Sequence, residues 1–64
     1  MKGLVTVLCK RRQSGDLLGM FNVERSVLND PLRWEESKAR MARSCRERLR
    51  DVVFALVTFK EPQI

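Results

Sequence analysis

The chain has 64 residues, enough for one domain at most, and a core of that size contributes only a few kcal/mol of stability. Its hydrophobic fraction of 44% is too high for a disordered tail and ordinary for a globular domain. The formal net charge of +5 indicates an anionic partner, such as nucleic acid or an acidic protein surface.

The first predicted element is a strand over Gly3 to Arg12 (GLVTVLCKRR). Alternation places Val5, Val7 and Cys9 on one face and Leu4, Thr6 and Leu8 on the other. Because both faces are largely apolar, the pattern predicts a central strand, or one whose second face a partner covers. The strand ends in the basic cluster Lys10, Arg11 and Arg12, and residues 13–16 then form a turn in which Gly15 can take a positive φ.

A second strand is predicted over Asp16 to Glu24 (DLLGMFNVE). Alternation assigns Leu17, Gly19, Phe21 and Val23 to one face and Leu18, Met20 and Asn22 to the other. A glycine in the middle of a strand indicates a bulge or a close backbone approach. The short loop before this strand favours an antiparallel hairpin with the first one. The connector from Arg25 to Asn29 has room for a short turn of helix.

The longest predicted element is an amphipathic helix from Asp30 to Arg50. Asp30 is a suitable N-cap, and Pro31 fits the first helical position, where no N–H is needed. Helical periodicity puts Trp34, Met41, Cys45, Leu49 and Val52 on one apolar stripe. Trp34 could stack on a base or anchor an interface, but its position on the stripe favours core packing.

The last element is a strand within Asp51 to Lys60 (DVVFALVTFK), since a continued helix would put Phe54 on the arginine side. Its two faces are Val53, Ala55, Val57 and Phe59 against Phe54, Leu56 and Thr58. Both faces are apolar, so this strand is the best candidate for the sheet centre or for a dimer seam.

Together these elements predict an α+β fold in which residues 1–64 form a single small basic domain. Its order is β-β-α-β, with one amphipathic helix packed on a three-stranded, largely antiparallel sheet. One helix covers one face only, so the second face is expected to bind a partner, most simply a second copy in a homodimer. Phe54, Leu56 and Phe59 are the residues predicted for that dimer or partner interface.

The residue types argue against catalysis and against metal binding. The chain has no His, and its two cysteines, Cys9 and Cys45, are too few for a four-ligand zinc site. A Ser or Cys nucleophile would lack its usual base, so neither an enzyme nor a cofactor is expected. Two reduced, buried thiols are typical of a cytoplasmic protein. No apolar run is long enough to span a bilayer, so no membrane partner is expected.

The sharpest constellation is the set Arg40, Arg43, Arg46 and Arg50, which the helix prediction places on one face. Six basic residues and one acid lie between Lys38 and Arg50. Arg46 and Arg50, at i and i+4, repel one another unless an anion neutralises them. Pairing of Glu36 with Arg40, and of Glu47 with Arg43 or Arg50, would instead leave a solvated face. Lys10, Arg11 and Arg12 would add a second basic patch if they lay on the same side.

Two functions are compatible with these residues. In the first, the protein is dimeric and the arginine face contacts nucleic-acid phosphates with little sequence selectivity. In the second, the protein is a small regulator or inhibitor that blocks a cellular or host protein. The same arginines would then dock on an acidic surface, and the sheet face or edge at Phe54 and Leu56 would supply the apolar contacts.

Overall fold

The structure is a computed structural model that describes residues 3–57. The elements in chain order are β1 (Leu4–Arg11), β2 (Leu17–Glu24), α1 (Arg25–Leu28), α2 (Pro31–Ser44), a 3₁₀ helix (Leu49–Asp51) and β3 (Val52–Val57). The strands form one sheet in the order β2-β1-β3, and both neighbouring pairs are antiparallel. This arrangement confirms the predicted α+β fold with its β-β-α-β order.

Strand β1 is the central strand, as its two apolar faces predicted. It pairs with β2 through a hairpin whose turn contains Gly15 at φ 77, and with β3 on its other edge. The prediction that β3 forms the sheet centre is therefore wrong. The hairpin pairs β1 directly with β2, so β3 cannot lie between them. It pairs with the other edge of β1 and is an edge strand of the described sheet.

A β-bulge in β2 changes which side chains face the helix. Lys10 pairs with Leu17 and Cys9 pairs with Gly19, so Leu18 is an extra residue without an opposite partner. The bulge turns Leu18 towards the core and leaves Leu17 55% exposed on the other face. Assigning Leu17 to the same face as Phe21 was therefore wrong, although the predicted irregularity at Gly19 is confirmed.

Helix α2 begins as predicted and ends earlier than predicted. The Asp30 carboxylate accepts hydrogen bonds from the backbone N–H groups of Leu32 (3.1 Å) and Arg33 (3.4 Å), and Pro31 is the first helical residue. At the other end, the Arg46 N–H donates to the Arg43 carbonyl and the Glu47 N–H to the Ala42 carbonyl, both at 2.9 Å. These two bonds form a Schellman motif, which requires the left-handed conformation that Arg46 adopts at φ 60.

The Schellman motif removes residues 45–50 from the helix. The predicted helical run to Arg50 is therefore wrong, and the chain turns through the 3₁₀ helix into β3 instead. Val52, predicted on the apolar stripe of the helix, is buried at the start of β3.

The core lies between α2 and one face of the sheet, which we call the covered face. Its buried side chains are Val5, Val7 and Cys9 of β1, Val23 of β2, Val52 of β3, and Met41 and Ala42 of α2. The Trp34 ring packs edge-on against Phe54, with ring centroids 6.2 Å apart. The prediction that Trp34 packs in the core is confirmed.

No element within residues 3–57 covers the other face of the sheet, which we call the open face. Strand register assigns to it Leu4, Thr6, Leu8 and Lys10 of β1, Leu17, Met20, Asn22 and Glu24 of β2, and Val53, Ala55 and Val57 of β3. Leu4, Leu17 and Met20 are each more than half exposed. The structure thus confirms that one helix leaves an apolar sheet face uncovered.

Two of the three residues predicted for the dimer or partner interface, Phe54 and Leu56, do not lie on the open face. Phe54 pairs with Cys9 and Leu56 with Val7, so both belong to the covered face. Phe54 is part of the core, while Leu56 is 50% exposed. Phe59 lies outside the described residues.

Candidate functional site

Two basic segments that are far apart in sequence meet at the hairpin end of the sheet. The Arg12 N–H donates to the Asp51 carbonyl at 2.8 Å, which aligns the end of β1 with the start of β3. The Arg11 guanidinium contacts the Glu47 carboxylate at 3.1 Å. The cluster at residues 10–12 therefore lies against the segment that connects α2 to β3, a placement the sequence left open.

We call this region the basic end. It carries seven cations and three carboxylates, namely Lys10, Arg11, Arg12, Arg43, Arg46, Arg48 and Arg50 against Asp16, Glu47 and Asp51. Arg11 is paired with Glu47 and lies 3.7 Å from Asp16. Within residues 3–57, no other cation of the basic end has a carboxylate within 4.0 Å. The end therefore presents excess positive charge to solvent.

Hydrogen bonds to backbone carbonyls hold the Arg12 side chain in place without pairing it with a carboxylate. Its Nε donates to the Arg50 carbonyl at 3.0 Å, and one terminal nitrogen donates to the Val52 carbonyl at 3.1 Å. Both acceptors are neutral carbonyls, so neither bond pairs the guanidinium with a negative charge. These bonds use two of its five N–H groups, and the other three remain available to an anion.

The four arginines predicted on one helical face occupy three different backbone settings. Arg40 and Arg43 are exposed on α2, Arg46 follows the helix in a left-handed conformation, and Arg50 is in the 3₁₀ helix. The prediction of a single helical face is therefore wrong. Arg43, Arg46 and Arg50 still share the basic end, whereas Arg40 lies about one turn further back along α2.

The ion pairs also differ from those considered from the sequence. Glu47 binds Arg11 rather than Arg43 or Arg50, and Glu35 binds Lys38 at 2.9 Å. No pair between Glu36 and Arg40 occurs among the described residues. The exposed residue Arg48 also belongs to the basic end, although it is not among the predicted binding residues. The only feature of the sequence that points to it is the local excess of positive charge.

A groove of about 660 Å³ runs between α2 and β3 beside the basic end. Its apolar lining includes Trp34, Leu49, Val52 and Phe54. Its cationic lining is Arg12, Lys38 and Arg50. The Lys38 ammonium lies 5.4 Å from the centre of the Trp34 ring. The same ammonium is paired with the Glu35 carboxylate, so the positive charge over the ring already has a negative partner.

The two cysteines are free thiols, and they pack together under the C-terminal end of α2. Cys9 is fully buried and Cys45 is half-buried. Burial, reinforced by Cys45 and Glu47, raises the pKa of the Cys9 thiol to about 11 from its ordinary value of 9.0. A buried thiol with so high a pKa is a poor nucleophile.

Comparison with protein-family models, curated proteins and solved structures finds no match for this chain. Among residues 3–57, no group of three Cys, Asp or Glu side chains is arranged to hold a metal ion. The described part of the chain contains no helix of the length and apolarity needed to cross a membrane.

Proposed function

We propose that the protein binds nucleic acid through contacts between its basic end and the phosphate backbone. The observation that carries this proposal is the convergence of the cluster at residues 10–12 with the Arg43–Arg50 region at one end of the domain. The cations that have no intramolecular carboxylate partner in the described chain, and that the open face does not use, are Arg12, Arg43, Arg46, Arg48 and Arg50. Cations arranged in this way bind phosphates with little dependence on base sequence.

The conformation of Arg46 supports the same proposal. The position after a helix C-cap that takes φ near 60° is usually Gly, because an L side chain there is strained. The chain carries an arginine at this position, which adds charge at a cost to stability. A residue held in a backbone conformation that its type disfavours is often one that is retained for function.

A matched pair of variants tests the proposal. Arg48→Gln removes an exposed cation of the basic end, and Arg25→Gln removes an exposed cation from α1, next to Gly3 at the opposite end of the sheet. Binding to a fluorescein-labelled DNA duplex would be followed by anisotropy over a range of salt concentrations. We expect Arg48→Gln to weaken binding and to reduce the slope of log affinity against log salt by about one, while Arg25→Gln leaves both unchanged. Equal effects of the two variants would refute a localised site.

The open face supports a second part of the proposal, which is that two copies associate through it. Lys10 lies at the hairpin end of this face and Glu24 at the opposite end. If the stacked strands of the two copies run antiparallel, Lys10 approaches the partner's Glu24. The same arrangement separates the two basic ends, which limits repulsion between chains that each carry +5.

Sedimentation of two exposed-site variants tests this association. Met20 is 65% exposed on the open face, and Leu32 is 78% exposed on α2. We expect Met20→Glu to sediment as a folded monomer and both Leu32→Glu and the unmodified protein to sediment as dimers at micromolar concentration. A monomeric unmodified protein would contradict the proposed dimer without bearing on the basic end.

A further inference from the structure

The groove between α2 and β3 has the properties of a preformed binding site. Trp34 and Phe54 are held by their edge-on contact, and Val52 is buried in a core cluster against which Phe54 packs. These side chains are fixed by core packing, so an apolar group entering the groove meets a surface that is already ordered. Preformed apolar surfaces bind ligands at a lower entropic cost than flexible ones.

The charges around the groove select the kind of ligand. Glu35 is the one carboxylate in the described lining, and its charge is already matched by Lys38. Arg12 and Arg50 have no carboxylate partner in the described part of the chain. Arg12 is moreover held in place by its bonds to two backbone carbonyls, so its free N–H groups are presented in a restrained geometry. The groove therefore complements a ligand with an apolar side chain and adjacent carboxylates.

Among the described residues, no strand pairs with the outer side of β3, which lines the groove. β3 is an edge strand, and Val52, Val53 and Phe54 of this strand contribute to the lining. An extended peptide can approach such an edge closely, which a folded acidic surface cannot do as readily.

From these observations we infer that the groove is a docking site for a short acidic segment of a partner protein, with an apolar side chain seated against Trp34 and Phe54 and carboxylates held by Arg12 and Arg50. This binding activity differs from nucleic-acid binding in its ligand, although it uses Arg12 and Arg50 of the same basic end. It depends on the apolar lining as well as on the cations, whereas phosphate binding at the basic end depends on the cations alone.

Trp34 is the only tryptophan, so its fluorescence reports directly on the groove. The probe is a capped ten-residue peptide in which Glu and Leu alternate, and the control peptide carries Gln in place of Glu. We expect the Glu peptide to change Trp34 emission saturably with a Kd of about 10–100 μM, and the Gln peptide to bind at least about tenfold more weakly. Arg50→Gln should weaken binding of the Glu peptide about fivefold, and Arg40→Gln, on the outer surface of α2, should leave it unchanged.

Several results would overturn the inference. One is the absence of any Trp34 response to the Glu peptide up to about 1 mM. Another is equal binding by the unmodified, Arg50→Gln and Arg12→Gln proteins, which would show that the cations do not select the ligand. A Trp34 emission that changes with protein concentration alone would assign the groove to a second copy of the chain. An equal, Arg50-dependent response to a ten-nucleotide oligothymidine would assign it to nucleic acid.

Discussion

Replacement of Arg46 by Gly separates the structural cost of this residue from its binding role. Arg46 is held at φ 60, a conformation that costs an L residue about 1–2 kcal/mol. Gly avoids that cost but loses about 0.5–1 kcal/mol through the greater flexibility of the unfolded chain. The expected net effect of Arg46→Gly is therefore a stabilisation of about 0.5–1 kcal/mol, from the difference of these two terms.

Urea denaturation at a fixed protein concentration measures this effect. With an m-value of about 1 kcal/mol/M for so small a domain, the midpoint should rise by about 0.5–1 M. Arg46→Ala is the control, because it removes the same charge and keeps the strained conformation. Both variants should lose about one phosphate contact in the salt dependence of nucleic-acid binding, but only the Gly variant should become more stable. Equal stability of the two variants would refute the assignment of a Schellman motif with strain at this position.

Four further predictions concern the cap, the core and the thiols. Asp30→Ala should lower the free energy of unfolding by about 1 kcal/mol in urea denaturation, because two backbone N–H groups lose their acceptor. Phe54→Asp should unfold the chain by circular dichroism, since it would bury a charge against Trp34; a folded monomer would contradict this core assignment. At neutral pH, Cys9 should react with a thiol reagent more slowly than Cys45, since its pKa of about 11 in place of 9.0 leaves about a hundredth of the usual thiolate. Because the folded state raises that pKa, stability should fall as the pH rises from about 9 to about 11, and Cys9→Ala should remove this part of the pH dependence.

The elements themselves were predictable because their signals are local. Alternation in β1 predicts that Val5, Val7 and Cys9 share one face, and all three are buried together on the covered face. The Asp30-Pro31 pair marked the start of α2 because both residues act on the first turn alone.

The predictions are wrong where a residue occupies a backbone conformation in which another residue type is usually found. The end of α2 lacks the Gly that normally marks a Schellman motif, so the run of good helix formers from Arg46 to Arg50 concealed it. In β2, the bulge residue is Leu18, and two successive leucines carry no alternation signal that would reveal an inserted residue. One extra residue exchanges the faces of every position before it, so simple alternation puts Leu17 on the face of Phe21 and Val23 instead of the opposite one.

The candidate site was only partly predictable because it is a product of tertiary structure. The sequence identified both basic segments, but their proximity depends on the pairing of Arg11 with Val52 across β1 and β3. The groove beside them requires a contact between Trp34 of α2 and Phe54 of β3, and no local sequence pattern predicts that contact.

The salt dependence of nucleic-acid binding tests the central claim most directly. Six cations of the basic end lack a carboxylate partner within the described chain, and the proposed dimer places one of them, Lys10, near Glu24 of the partner subunit. A phosphate contact from each of the other five would give a slope of log affinity against log salt of about −4 to −5 per protomer on duplex DNA. The quadruple variant Arg40/Arg43/Arg46/Arg50→Gln removes three of those five cations and should reduce the slope to about −2. A quadruple variant that binds duplex DNA with the affinity and slope of the unmodified protein would contradict the account.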